Sequence, residues 1–311
     1  MAISGKLVKI NDEIVTQEDL LIQILESLQN KSAPNLPTRE TWVFALADGS
    51  TIEKEVYIDL PKGNIIKVSD SSGVVLWENL DYIEIGTLGI GSRVSLNVNG
   101  TARNFIIVQQ GNPDATLYDS SCNGTWLLME DIYTKDIVWD SVENDYANSD
   151  MHAWLNSTFL GLLDPNIRGM VKTVKIPYTN GIGNVGIVQT GASGLSTQIF
   201  LLSVIETNGA LYAPWQDTTV EDSVYNIEGC VLDYFIDSED YDRIAYYEGV
   251  ADTWYYRSPG RSGKYYVGAA SSTGGYFNYG YVTGEHGIFG TRPAFVLPSN
   301  MRIVKDSIVS I

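Results

Sequence analysis

Cysteine and histidine are scarce in this chain of 311 residues, which contains two of each. Cys122 and Cys230 form no CxxC or Cys/His pairing, so the sequence does not indicate a zinc site. His152 and His286 are too few for a histidine cluster that binds a metal. We expect two buried thiols, with a single disulfide between them as the alternative, because free cysteine is usually buried.

Long apolar runs are also missing, since no stretch approaches the ~20 residues that a membrane helix needs. The opening residues, MAISGKLVKINDEIV, lack the apolar region and the small-residue cleavage site of a secretion signal. We therefore expect no membrane insertion. The sequence favours either a location inside a cell or release within an assembled particle.

Positive charge is in short supply, with 20 Lys and Arg against 38 Asp and Glu and a net charge of −18. Nucleic-acid binding needs a surplus of basic residues, so we expect no nucleic-acid partner. Residues 251–292 depart from this acidic composition. They contain four basic and two acidic residues, which gives a local charge of +2. Their surface should differ electrostatically from the rest of the molecule.

Tyrosine is abundant, and seven of the 19 tyrosines lie within residues 251–295 together with many Gly and Ser residues. The phrase WYYRSPG stands near the start of this stretch and GTRPAF stands at its end. Surfaces that recognise varied partners favour Tyr, Ser and Gly, because Tyr offers a large contact area with few bonds to immobilise. Half-buried strands are also rich in Tyr, so packing and binding are equally supported for any single tyrosine.

We interpret the stretch as a displayed surface held between two scaffold phrases. Arg257 and Arg292, one in each phrase, are expected to anchor loops through bonds to carboxylates or carbonyls. The other scaffold residues are Trp254, Pro259, Gly290 and Pro293. The predicted ligand-binding residues are Tyr255, Arg261, Lys264, Tyr265, Tyr266, Ser271, Tyr276, Phe277, Asn278, Tyr279, Tyr281, His286 and Phe289.

Hydrophobic patterns divide the chain into three parts. Residues 1–34 form a predicted connector whose helix, at 17–29, could pack on its own domain or form an oligomer seam. Residues 35–84 form a small β module with a hairpin pattern around Asp48-Gly49. Residues 85–311 form the larger domain, which is predicted to bind the ligand.

The larger domain is predicted to combine short strands with two helices. The clearer helix begins at the cap Ser149 and ends before Pro165. A second helix, or a helix followed by a turn, is predicted within residues 231–247. Two helices among many short strands and long loops indicate the α+β class.

Five phrases then occur in a characteristic order: WLLMED, MHAWLNSTFLGLLDP, DRIAYY, TWYYRSPG and GTRPAFVL. With them, residues 85–311 resemble bacterial and phage domains of the C-type-lectin-like fold, in the branch related to formylglycine-generating enzymes. The resemblance implies an α+β fold with two helices, short antiparallel strands and long loops. Here that domain would follow a short helix and a small β module.

The resemblance also carries expectations about function. Enzymes of this branch use cysteines near the C-terminus, and no cysteine follows Cys230, so we expect a protein that is not an enzyme. Several domains of this type are variable proteins of diversity-generating retroelements, in which mutagenesis rewrites a C-terminal stretch. Phage tail and bacterial surface receptors usually carry such domains.

We therefore predict a phage tail or tail-like receptor-binding protein, located in the virion, that recognises a host cell-surface protein or glycan. It is expected to form a homo-oligomer, a trimer being favoured, and to contact other tail proteins through its N-terminal region. The first alternative is a bacterial cell-surface or signalling protein with the same domain. The second is an enzyme of the formylglycine-generating type.

No cofactor is expected. The acidic segment at 237–243, DSEDYDR, could bind a structural calcium ion, but a plain acidic loop is the favoured interpretation. His152 invites a catalytic role beside Asp150, yet a structural role is favoured because no nucleophile stands at a recognisable spacing.

Overall fold

The computed structural model contains two compact units, Met1–Asp81 and Tyr82–Ile311. The structure describes residues 7–10, 13–16, 39–45, 51–59, 67–70, 75–78 and 82–309, except for 183–185, 210–227, 238, 261–262 and 285–287. Only the backbone is described for the first six ranges, for 82, for 277–280 and for 306.

The first unit contains one antiparallel sheet of six strands in the order β2-β1-β3-β4-β5-β6. These strands are β1 (Leu7–Ile10), β2 (Glu13–Thr16), β3 (Arg39–Ala45), β4 (Thr51–Asp59), β5 (Lys67–Asp70) and β6 (Val75–Glu78). Strands β3 and β4 pair up to Ala45 and Thr51, which confirms the hairpin predicted around Asp48-Gly49. Strands β1 and β2 belong to the same sheet, although only a connector was predicted there, and the helix at 17–29 lies outside the described residues.

The second unit is built mainly from short strands. In chain order they are β7 (Tyr82–Glu84), β8 (Arg93–Val98), β9 (Thr101–Gly111), β10 (Gly124–Met129), β11 (Val174–Ile176), β12 (Tyr178–Asn180), β13 (Ile187–Gln189), β14 (Leu195–Thr197), β15 (Ile199–Phe200), β16 (Ala245–Tyr247), β17 (Val250–Asp252), β18 (Trp254–Pro259), β19 (Tyr266–Ala270), β20 (Tyr276–Tyr281), β21 (Ala294–Leu297), β22 (Arg302–Val304) and β23 (Ile308–Val309). The main sheet has six antiparallel strands in the order β15-β21-β10-β9-β8-β23.

Smaller antiparallel sheets surround the main one. They pair β11 with β14, β12 with β13, β16 with β17 and β22 with β7, and they include the three-stranded sheet β18-β19-β20. The turn between β8 and β9 is the predicted Asn99-Gly100, where both residues have positive φ angles of 51° and 75°. This conformation suits a two-residue hairpin and explains why Asn and Gly occupy the turn.

One continuous helix of 13 residues, here named α1, covers residues 150–162. It consists of Asp150–Trp154 and Leu160–Leu162 in α geometry and Leu155–Phe159 in π geometry. The side chain of Ser149 accepts a hydrogen bond from the backbone N–H of His152 at 3.1 Å, which confirms the predicted cap. A shorter helix, α2 (Pro165–Met170), follows.

The centre of the main sheet is buried on both faces. On one face Leu127 and Met129 of β10 join the core cluster that contains Leu155 and Phe159 of α1. On the other face Trp126 and Leu128 belong to a second cluster, together with side chains of β9, β15 and β21. All six residues of β10 are buried, because this strand lies in the centre of the sheet between the two clusters.

The predicted helix within residues 231–247 is wrong. The segment instead forms two 3₁₀ turns, Asp233–Phe235 and Asp240–Arg243, followed by β16. The side chains of Glu239 and Asp242 each accept a hydrogen bond from the other residue's backbone, which closes a single turn. Such local side-chain bonding competes with a longer helix, and it is the physical reason for the difference.

The predicted α+β C-type-lectin-like fold is also wrong. Strands account for 37% of the structure, which has one helix of 13 residues and a large antiparallel sheet. The phrases that carry the resemblance form individual strands and helix α1. The α+β class, however, was predicted from two helices, and the second of them does not form. Among the described residues, no helix combines the length and apolar character needed to cross a membrane.

Candidate functional site

The phrase WYYRSP forms β18, whose six side chains are all buried. The indole N–H of Trp254 donates to the carbonyl of Arg243 at 2.8 Å, and the hydroxyl of Tyr256 accepts from Thr207 at 2.8 Å. Both polar groups are therefore satisfied inside the protein. Strand β18 is part of the frame, as the scaffold interpretation expected.

Tyr255 is a correction to the predicted ligand-binding residues, because its side chain is completely buried. Its ring lies 5.2 Å from that of Phe289, and its hydroxyl donates to the carbonyl of Tyr281 at 3.4 Å. Both faces of β18 are covered, so alternate residues on this strand have no route to the surface.

Arg257 anchors the frame through a bidentate ion pair with Glu206, with N–O distances of 2.6 and 2.7 Å. Its guanidinium also donates to the backbone carbonyls of Pro177, Leu201 and Glu228. Burial opposes the charged form of Arg257, but the attraction of Glu206 prevails and raises the pKa of Arg257 above its ordinary value. This geometry confirms the anchoring role predicted for Arg257.

Glu228 is a second carboxylate in this fully buried network. It accepts from the backbone N–H of Thr179 at 2.9 Å and from the hydroxyl of Ser258. Burial raises the pKa of Glu228. The hydroxyl of Tyr118 donates to Glu206 at 2.7 Å, so the network joins distant segments of the chain and holds the frame together.

The phrase GTRPAF, at 290–295, is equally buried. The Nε of Arg292 donates to the carbonyl of Met129 at 2.8 Å, and the guanidinium lies 4.9 Å from the ring centroid of Trp254. Burial lowers the pKa of Arg292 to about 10. Its Nη1 has no hydrogen-bond partner among the described residues, so this arginine anchors the frame by fewer bonds than Arg257 does.

Between the two phrases lies the group that we name the tyrosine surface, consisting of Lys264, Tyr265, Tyr266 and Tyr281. Tyr265 is 48% exposed, and the ammonium of Lys264 lies 5.1 Å from its ring centroid. Tyr266 and Tyr281 are partners across β19 and β20, with ring centroids 4.9 Å and hydroxyls 3.3 Å apart. Four of the predicted binding residues therefore form two contacting pairs that are adjacent in the chain, Lys264 with Tyr265 and Tyr266 with Tyr281.

Three other predicted residues do not join this group. Ser271 follows β19 and Tyr276 begins β20, at the end of the hairpin opposite the Tyr266–Tyr281 pair. The ring of Tyr276 is half-buried, 6.3 Å from that of Tyr256, and Phe289 packs against the main core. The remaining predictions lie outside the described residues: Arg261, His286 and the side chains of Phe277, Asn278 and Tyr279.

A groove of about 520 Å³ lies elsewhere on the second unit, and the sequence analysis missed it. Tyr241 and Tyr246 are 67% and 46% exposed beside it. Its lining residues are Arg93, Ile106, Glu130, Asp131, Tyr234, Tyr241, Asp242, Ile244 and Tyr246. The sequence feature that could have indicated this groove is the cluster of acidic residues and tyrosines in DSEDYDRIAYY. The sequence analysis interpreted that segment as a helix or an acidic loop.

Cys122 and Cys230 are both free thiols, so they do not form the alternative disulfide. Burial raises the pKa of each thiol to about 12. Cys122 also donates to the carbonyl of Lys175 at 3.1 Å. Neither cysteine is ionised to a reactive thiolate near neutral pH.

The acidic segment at 237–243 uses its carboxylates locally. Asp240 pairs with Arg243, and Glu239 and Asp242 cap the turn between them. Across the described part of the chain, no three His, Cys, Asp or Glu side chains converge as a metal site requires. His152 lies 3.2 Å from the hydroxyl of Thr197, and burial lowers the pKa of His152, which fits the structural role favoured for it.

The described residues thus define a mainly β domain that displays a tyrosine surface and an open groove on a buried frame. Comparison with known families matches residues 123–299 to a domain of unknown function, DUF6273. The match covers more than half of the chain, which therefore belongs to this family. No curated protein and no solved structure matches the chain.

Proposed function

We propose that this protein binds a host cell-surface ligand through the tyrosine surface and acts as a receptor-binding protein of a phage tail or tail-like particle. The observation that carries the proposal is the contrast between the exposed Tyr265 and the buried phrases at 254–259 and 290–295. A rigid frame loses little conformational freedom on binding, which favours recognition by side chains already in place.

The chemistry of the tyrosine surface suits recognition of a protein or a glycan. Each tyrosine offers an apolar ring and a hydroxyl that donates and accepts hydrogen bonds. Lys264 adds a positive charge in a chain whose net charge is −18. Weak binding at one site would be strengthened by several copies in a homo-oligomer, for which a trimer is the favoured arrangement.

We also infer that the tyrosine surface is the product of retroelement diversification. The buried frame leaves little freedom for substitution, whereas exposed positions such as Tyr265 tolerate many residue types. The neighbouring DNA should contain a near-copy of the segment that encodes residues 251–295, differing mainly at adenines, beside a reverse transcriptase gene. A genome without both features would contradict this part of the proposal.

A bacterial cell-surface or signalling protein is the alternative setting for the same surface. The protein would then be found in cells rather than in purified particles, and detection with an antibody separates the two settings. An enzyme of the formylglycine-generating type fits less well, because burial raises the thiol pKa of both Cys122 and Cys230 to about 12.

The experiment is a binding assay of the fluorescently labelled protein on a panel of bacterial isolates. We expect Tyr265→Ala to weaken binding to the stained isolates at least about tenfold, since central tyrosines often dominate binding energy. Ile187→Ala is the control, because Ile187 is 68% exposed and lies outside both the tyrosine surface and the groove. Unchanged binding of Tyr265→Ala, or no staining of any isolate, would contradict the proposal.

A further inference from the structure

We infer that the groove beside Tyr241 and Tyr246 is a saccharide-binding site, separate from the tyrosine surface. Its volume of about 520 Å³ falls within the range of small-molecule sites, ~300–1,000 Å³. The inference does not depend on the proposed function of the tyrosine surface.

The aromatic rings come from three separate short elements. Tyr234 lies in the turn Asp233–Phe235, Tyr241 in the turn Asp240–Arg243, and Tyr246 in β16. Two of these rings are about half or more exposed to solvent although they line one space. The C–H face of a sugar ring packs well on an aromatic side chain, because the aromatic ring is apolar and its face carries negative charge density.

The polar groups around these rings include both donors and acceptors. Arg93 supplies a guanidinium, while Asp131 and Asp242 supply carboxylates. The position of Glu130 is fixed by hydrogen bonds from Arg93 and from Asn104, the latter at 3.0 Å. A sugar hydroxyl donates and accepts hydrogen bonds, so a ligand with several hydroxyls matches this mixed lining.

Arg292 is a buried cation that does not itself line the groove but contacts a residue of a neighbouring pocket. It is 1% exposed, and its Nε bonds the carbonyl of Met129, which lines a second pocket of about 150 Å³ that shares Glu130 and Asp131 with the groove. The carboxylates of Asp131 and Glu130 lie near enough to interact with its positive charge. Its Nη1 has no partner within the described structure, although buried donors are nearly always paired.

The charges of the lining exclude one class of ligand. The groove is lined by three carboxylates and one guanidinium, and Glu130 is paired with Arg93. An anion would be repelled, a neutral sugar would not be, and an organic cation is the competing occupant. The aromatic rings together with the mixed donors and acceptors favour a neutral, hydroxyl-rich ligand over a cation.

The test measures binding of the intact protein to four probes by saturation-transfer NMR and calorimetry. The probes are hexasaccharides of β-1,4-linked N-acetylglucosamine, β-1,4-linked glucose, α-1,4-linked glucose and β-1,4-linked mannose. We expect at least one to bind. Tyr241→Ala and Tyr246→Ala should each weaken that binding at least about tenfold, which corresponds to about 1.4 kcal/mol.

Three further variants make the result specific. Tyr241→Phe and Tyr246→Phe keep the aromatic face and should retain most of the binding, while Tyr265→Ala should leave it unchanged. The inference would be overturned if no hexasaccharide bound, if binding survived both alanine variants, or if Tyr265→Ala abolished it. Choline and lysine are measured in the same way as cationic probes. Binding of either cation without binding of any hexasaccharide, lost in Tyr241→Ala, would identify a cation site and would overturn the inference.

Discussion

Arg257 illustrates at the residue scale how a buried charge can organise a frame. Removing a guanidinium from water is unfavourable, but the bidentate pair with Glu206 and three carbonyl bonds satisfy every side of it. The anchoring role of this arginine was predictable from its phrase. Its partner was not, because Glu206 stands 51 residues away with no spacing that marks it.

The first prediction concerns this pair. Arg257→Met should lower the free energy of unfolding by about 3–5 kcal/mol, because it leaves the buried carboxylate of Glu206 without its cationic partner. Arg93→Met is the matched control: the side chains of Arg93 and Glu130 are each 25% exposed, so we expect a loss below about 1 kcal/mol. Urea denaturation measures the free energy of unfolding of both variants. Equal decreases would show that burial does not determine how much an ion pair stabilises the protein.

At the element scale, helix α1 shows which features are local. Its start depends on Ser149, and its buried face on Met151, Leu155 and Phe159, all of which follow the spacing expected for a helix. Its attachment is not local, since His152 contacts Thr197 of β14 at 3.2 Å. The helix predicted within 231–247 does not form for a local reason, because carboxylates of that segment cap a short turn.

The second prediction is a pH effect at this attachment. Burial lowers the pKa of His152 below its ordinary value of 6.5, so the folded state favours the neutral ring. The stability linked to His152 is therefore present above about pH 6.5 and is lost as the pH falls through the folded-state pKa. His152→Gln removes this titration, so its free energy of unfolding should fall less between about pH 7.5 and about pH 5.

The comparison should be made as the difference between wild type and variant in urea denaturation. Burial raises the pKa of Glu228, so its contribution has the opposite sign and decreases as the pH rises, but it is common to both proteins. Parallel pH profiles for wild type and His152→Gln would rule out this role for the histidine.

At the scale of the whole molecule, the residues matched by the family are fewer than the residues of the second compact unit. Residues 123–299 include β10, β15 and β21, but they omit β8, β9 and β23 of the same six-stranded sheet. Without β9, the fully buried β10 would lose its partner on one edge and expose apolar side chains on both faces. We therefore expect the longer segment 82–311, which forms one compact unit, to be the unit that folds cooperatively.

The third prediction compares two fragments. Residues 82–311 expressed alone should unfold in one cooperative transition and keep the near-ultraviolet circular dichroism of buried tryptophans. Residues 123–299 should give neither signal, because half of the main sheet is missing. Cooperative unfolding of the shorter fragment would contradict our assignment of β8 and β9 to the essential core.

The sequence by itself determined the local features of this protein. The Asn99-Gly100 turn, the capped start of α1 and the concentration of tyrosine at 251–295 depend on neighbouring residues, so they could be predicted. Only the tertiary structure decided that Tyr255 is buried while Tyr265 is exposed, and that distant segments meet at the groove. The reason is that burial depends on which elements cover each face, and the chain makes those contacts across long sequence separations.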